Sequence, residues 1–156
     1  MMSLKNYFYL IGLVVFLLLT GQALAAGWIL YDKSGIGDMY YDKSSIKKVN
    51  QNIIRVWDKT LYNENGRKKH FAFLQAIGKP PAGSDALHYQ LVLVELDYLQ
   101  KKYRVTSSSI YNKQNKIIAS LPKEAYGGWR DIRPNSVSAT LLNSICQTTR
   151  ACKTKK

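Results

Sequence analysis

The sequence predicts an α+β domain: a single antiparallel β-sheet of about six strands with one C-terminal amphipathic helix packed on one face. Three observations carry this expectation. The stretch His88 to Tyr98, HYQLVLVELDY, places Val92, Val94, Leu96 and Tyr98 on one side of a strand and Leu91, Leu93, Glu95 and Asp97 on the other. Near the C-terminus, Val137, Leu141 and Ile145 recur four apart with Leu142 and Cys146 beside them, which is a helical stripe. The other strand-like runs are joined by short polar links with no long helical pattern between them, which favours antiparallel pairing.

The first segment is expected to lie outside this fold. MMSLKNYFYLIGLVVFLLLTGQALA has one early lysine, an apolar run from Tyr7 to Leu19, and Ala23-Leu24-Ala25 in the spacing of a signal-peptidase site. The expected division is a signal peptide at residues 1–25 and one domain at 26–156. The apolar run is shorter than the ~20 residues a spanning helix needs, so no stable membrane span is expected after cleavage. No cysteine stands near the site for lipid attachment. The destination is the periplasm, the cell surface or the medium.

Within the domain, Trp28 to Tyr31 and Met39 to Tyr41 read as a hairpin closed around Ser34-Gly35 and Gly37-Asp38. Tyr41 to Ile46 leaves it through turn-forming residues. Asn52 to Tyr62 is a third strand. Between Asn63 and Asp85 the pattern fails: NENGRKKH is polar, GKPPAGSD carries two prolines, and Phe71 to Ile77 suits a strand or one or two helical turns equally. After His88 to Tyr98 come Tyr103 to Tyr111 and Lys116 to Ser120, linked by the turn residues Asn112 to Asn115. Pro134-Asn135-Ser136 then starts a helix of about twelve residues that supplies the second layer.

With 23 Lys and Arg against 10 Asp and Glu, the net charge is +13. Such a surplus keeps an exported protein soluble and also favours acidic partners. Basic residues cluster at Lys47-Lys48, at Arg67, Lys68 and Lys69, at Lys101, Lys102 and Arg104, and in the tail with Arg150, Lys153, Lys155 and Lys156. Arg67, Lys68, Lys69, Lys101, Lys102, Arg104, Lys155 and Lys156 are the candidate ligand-binding residues. In an exported protein the fitting partners are an extracellular or envelope protein or an anionic polysaccharide, with no specific nucleic acid. The sequence defines no oligomeric state.

Catalytic patterns are not found. There is no Gly-x-Ser-x-Gly, no haem-attachment motif and no Gly-rich phosphate cradle, so no cofactor is expected. His70 and His88 lack companions that would complete a metal site, although Asp85 lies near His88. Glu95 and Asp97 share a strand face, but beside Lys101, Lys102 and Arg104 they read as ion-pairing residues on the solvent side of the sheet. The expectation is a protein without enzymatic activity.

The ordered motifs, taken together, resemble the surface-adhesin protein E family of small exported bacterial domains. They are Trp28; Tyr40-Tyr41-Asp42 with Ser45-Ile46; Val56-Trp57-Asp58-Lys59; Glu95-x-Asp97 with Tyr103-Arg104; and Trp129-x-x-Ile132-x-Pro134-x-Ser136 with Leu141, Ile145 and Cys146. The resemblance implies the same sheet-and-helix architecture. It also implies adhesion, since the family's named member is an outer-membrane adhesin for host matrix proteins and plasminogen. Relatives often carry Glu-x-Asp-Cys, whose cysteine can pair with the helix cysteine. Here that position is Tyr98, so Cys146 needs another partner or none.

The chain's two cysteines, Cys146 and Cys152, are six residues apart. On a continuous helix their Cα atoms would stand about 9 Å apart, beyond the ~7 Å limit for a bridge. An oxidising destination favours a Cys146–Cys152 loop if the helix ends near Gln147 to Thr149, with intermolecular pairing or free thiols as the alternatives. The functional expectation is an exported adhesin-like binding domain acting through a basic face. The alternative is a periplasmic structural or assembly subunit of a larger envelope or extracellular complex.

Overall fold

The computed structural model describes residues 27–152. The expected signal peptide and the candidates Lys155 and Lys156 lie outside the described residues. The chain begins with the hairpin β1 (Trp28–Ser34) and β2 (Gly37–Asp42). Its turn is tied by Ser34, whose hydroxyl accepts from the Ile36 amide and donates to the Gly37 carbonyl. Gly37 has φ +148°, and a Cβ there would stand 2.0 Å from the Leu61 carbonyl oxygen, so only glycine fits. The register slips between Leu30 and Asp32, making Tyr31 the extra residue of a bulge in β1.

Asp42 ends the hairpin and caps a single 3-10 turn, Lys43–Ser45. One carboxylate oxygen accepts from the Ser44 amide (2.9 Å), the Ser44 hydroxyl (2.6 Å) and the Gly27 amide (3.1 Å). The short β3 (Lys47–Lys48) follows, then β4 (Ile53–Tyr62), helix α1 (Glu64–Ala76), β5 (Tyr89–Asp97), β6 (Lys102–Tyr111), β7 (Ile117–Leu121), β8 (Arg130–Asp131) and helix α2 (Val137–Thr148). The sheet runs β1-β2-β4-β5-β6-β7, with β3 beside β4 and β8 beside β6. All pairs are antiparallel, and the strands along this path follow one another as an up-and-down meander. The predicted strands and C-terminal helix are thus present in order.

Both helices lie on the same face of the sheet. Under α2, Leu141, Leu142 and Ile145 pack on Tyr41, Ile54, Val56, Val94, Leu96 and Tyr98. This is the face that the alternation in β5 predicted. Under α1, Leu74 packs with Tyr62, Leu87, Ile110 and Ala119 at the other end of the strands.

Helix α1 is an addition to the single helix expected. The sequence left Phe71 to Ile77 open and read Asn63 to His70 as irregular, because the helix buries only Gly66 and Leu74 and so has no apolar stripe. Local chemistry holds it instead. The Asn63 side chain accepts from the Gly66 amide at 2.9 Å, and Lys68 pairs with Glu64 one turn earlier at 2.6 Å. Gly66 lets the helix approach the first hairpin, since a Cβ there would lie 2.0 Å from the Ile36 carbonyl oxygen.

Candidate functional site

The candidate basic residues fall at the two ends of the sheet. Arg67, Lys68 and Lys69 lie on α1, beside the end where Leu61 pairs with Tyr89. Lys101 and Lys102 form the β5–β6 turn, where Asp97 pairs with Lys102. The nine residues of β5 separate these ends by roughly 27 Å. Around Lys101 and Lys102 the fold gathers more positive charge: Arg130 pairs with Tyr103 through β8, the Ile132 amide donates to the Lys101 carbonyl, and Arg133 follows. Lys47 and Lys48 lie at the same end of the sheet, opposite Arg55 and Ile54. Sequence reasoning missed Arg130 and Arg133, which stand far from Lys101 along the chain and carry no spacing signal.

Arg104 is differently placed. Across the sheet, Arg55, Glu95 and Arg104 sit directly opposite one another on β4, β5 and β6. Glu95 receives Arg55 Nε at 2.9 Å and Nη2 at 2.5 Å on one oxygen, and Arg104 Nε at 2.7 Å and Nη2 at 2.5 Å on the other. The Arg104 guanidinium also lies 4.5 Å from the Trp129 ring centre.

The expectation placed Glu95 on the solvent side among Lys101, Lys102 and Arg104; Arg104 is indeed a partner, but Glu95 is fully enclosed and its second partner is Arg55, not a lysine. The enclosure comes from long side chains lying over it, since this sheet face carries no helix among the described residues. Burial works to raise the Glu95 pKa, but the hydrogen bonds and charges of Arg55 and Arg104 outweigh it and hold the carboxyl below its ordinary value. Asp97 has a local task, accepting from the Leu99 and Gln100 amides in the turn.

The helix-free face also carries an aromatic row. Lys59 Nζ stands 5.3 Å from the Trp28 ring centre and 4.8 Å from that of Tyr89, which stacks on Tyr111 at 4.7 Å. Basic and aromatic groups thus interleave on this face around Lys59.

On the opposite face, α1 and α2 leave a cleft between them of about 440 Å³. Its floor is the middle of the sheet and its polar centre is Asp58 on β4. Tyr31, on this face with Ile29 two residues before it in β1, donates its hydroxyl to both Asp58 oxygens at 3.2 and 3.1 Å. Asp58 keeps partial exposure through the cleft mouth but is densely surrounded by protein. Burial pushes its pKa up to about 7 despite hydrogen bonds from Tyr31 and the Lys59 amide, which favour the charged form. The same burial, with Asp58 beside it, holds the Tyr31 hydroxyl protonated far above its usual range.

Toward α1 a second polar group lines the cleft. Tyr62 donates to Gln90 at 3.1 Å, and Gln90 donates to Ser108 at 2.7 Å. Tyr126 Oη is enclosed beside Gln90 and Ser108 without a well-formed hydrogen bond. His70, whose ring lies tilted against that of Tyr62 with centres 4.4 Å apart, is shifted toward its neutral form chiefly by burial. Sequence reasoning recognised Asp58 only as part of a motif, and His70 only as a histidine without the companions of a metal site.

Cys146 and Cys152 form a disulfide with Cα atoms 5.3 Å apart. Helix α2 ends at Thr148 and Thr149 is extended, the turn-back that the spacing required. The helix end is docked by Tyr41, whose hydroxyl is 2.5 Å from Thr148 Oγ1. Tyr98, in place of the relatives' strand cysteine, lies in the core beneath α2 and donates to the Gln51 carbonyl.

Among the described residues no cluster of three His, Cys, Asp or Glu side chains could hold a metal ion, and no helix is long and apolar enough to cross a membrane. The model of the surface-adhesin protein E family matches residues 28–147, from the first strand to the last turn of α2. No curated protein matches the chain.

Proposed function

Because the chain belongs to the surface-adhesin protein E family, we propose that it is an exported adhesin-like domain that binds an extracellular or envelope protein or an anionic polysaccharide, without a catalytic step. The observation that carries this reading is the extent of the family match, which takes in the whole sheet and nearly all of α2 and so supports an adhesin role for this domain. The disulfide agrees with an oxidising compartment. A signal peptide at 1–25, removed to leave 26–156, and the lack of a lipid anchor complete the proposal.

The binding surface in this reading is the basic end of the sheet, where Lys101, Lys102, Arg130 and Arg133 converge, three of them exposed and Lys102 half-buried. Arg67, Lys68 and Lys69 on α1 form a second, separate basic region, in which Glu64 already offsets Lys68. The test is binding of the purified, disulfide-bonded protein to immobilised laminin, plasminogen and heparin over a salt series. Binding that weakens as salt rises supports the proposal, and no salt-sensitive binding to any of the three opposes it.

The helix-free face favours a second reading, an assembly subunit docked on a larger envelope complex. Tyr40, Trp57, Leu91 and Leu93 are only half-buried there, an apolar surface of the kind that docks. Capture of one stoichiometric protein partner whose binding ignores salt, and is lost on Trp57→Asp, would support that role instead.

A further inference from the structure

We propose that the cleft between α1 and α2 binds a small organic ammonium ion, a primary amine on an apolar body, with the ammonium group on Asp58. The proposal is independent of the basic end and of the adhesin role.

The cleft has the size of a small-molecule site, about 440 Å³, and its walls are largely apolar, with Met39, Val92 and Val105 on the floor and Val137 and Leu141 along α2. Into these walls the fold sets one carboxylate. Among the described residues no cation stands within ion-pair distance of Asp58, although the chain carries 23 lysines and arginines. A carboxylate offers about four acceptor positions. The Tyr31 hydroxyl and the Lys59 amide leave part of that capacity unfilled.

An uncompensated carboxylate in an apolar cleft costs stability, and here burial has raised its pKa to about 7. A bound cation that donates hydrogen bonds removes that cost. The groups around the carboxylate fit the same ligand. Tyr31, Tyr103 and Tyr126 line the cleft, and tyrosine rings attract a cation over their faces. The histidine on the cleft, His70 of α1, is held toward its neutral form and adds no competing charge. The apolar walls take the ligand's body, while an anion would meet Asp58 and be repelled.

The test is calorimetric titration of the disulfide-bonded protein at pH 8, where Asp58 is mostly ionised, with three probes that share a phenethyl body: phenethylammonium, 2-phenylethanol and 3-phenylpropionate. The expected result is saturable binding of phenethylammonium at least about tenfold tighter than the alcohol, with no binding of the propionate. Asp58→Asn, which keeps the shape and an acceptor for Tyr31, should remove that preference while changing alcohol binding less than about twofold. Val137→Trp, on the exposed rim, should block entry and abolish binding without disturbing the core, which keeps the test decisive should Asp58→Asn fail to fold. Equal binding of amine and alcohol, a preference that survives Asp58→Asn, binding that survives Val137→Trp, or no saturable binding of the amine would each overturn the proposal.

Discussion

The hydroxyl of Tyr31 on the edge strand β1 reaches past β2 to the Asp58 carboxylate on β4, donating to both oxygens at 3.2 and 3.1 Å. Tyr31 shares its sheet face with Ile29, which pairs with Tyr41, and this alternation along β1 points it toward Asp58.

Burial of Asp58, which outweighs the Tyr31 hydrogen bond, should make the protein lose stability as pH rises. The folded-state pKa of Asp58, about 7, lies above its unfolded value, so the native state holds the proton longer. The corresponding stability is present in full below about pH 4 and is lost as pH climbs through 7, with an upper limit on the order of 4 kcal/mol. Urea denaturation at pH 5 and pH 8 should show Asp58→Asn gaining on the wild type between the two. Parallel losses in both proteins would refute this.

Glu95 acts with the opposite sign. Its carboxyl is held below the ordinary range, so the stability it contributes is present above that range and is lost as pH falls through the folded pKa. Glu95→Gln leaves Arg55 and Arg104 without their shared acceptor, and because both arginines reach solvent the loss at pH 7 should be about 1–3 kcal/mol. The deficit should shrink in acid, which denaturation at pH 7 and pH 3 would measure.

Gly66 sets two effects against each other. Helix propensity alone says that Gly66→Ala should stabilise α1 by about 1 kcal/mol. The new Cβ would stand 2.0 Å from the Ile36 carbonyl oxygen, however, and backbone must move to admit it. Overpacking of this kind costs about 1–3 kcal/mol, so a net loss is expected. A raised melting temperature for this variant would contradict the close approach of α1 to the first hairpin.

The Cys146–Cys152 bridge closes a short loop and should contribute roughly 2 kcal/mol by chain entropy. Replacing both cysteines by serine should lower the denaturation midpoint accordingly and leave the sheet intact. Circular dichroism of the variant checks this, with any loss confined to the end of α2.

What the sequence disclosed follows from how each element is buried. Strand β5 and helix α2 present continuous apolar faces, so their periods were legible, and the cysteine spacing told where α2 must end for the two cysteines to pair. Helix α1 rests on Leu74, Gly66 and a cap from Asn63, which leave no periodic trace. Alternation put Glu95 on the correct face, but its closure depends on Arg55, 40 residues earlier in the chain. The Asp58 cleft was hidden for a similar reason: Tyr31, Asp58, Gln90 and Tyr126 come from four distant segments.

The central claim is that the domain binds through the basic end of its sheet. Its most direct test is surface plasmon resonance on whichever of laminin, plasminogen or heparin the wild type binds, with charge-reversal variants at the two ends. Reversing Lys101, Lys102, Arg130 and Arg133 to glutamate should weaken binding at least about tenfold, whereas reversing Arg67, Lys68 and Lys69 should change it less than about twofold. Undiminished binding by the first variant, or equal losses in both, would contradict the account.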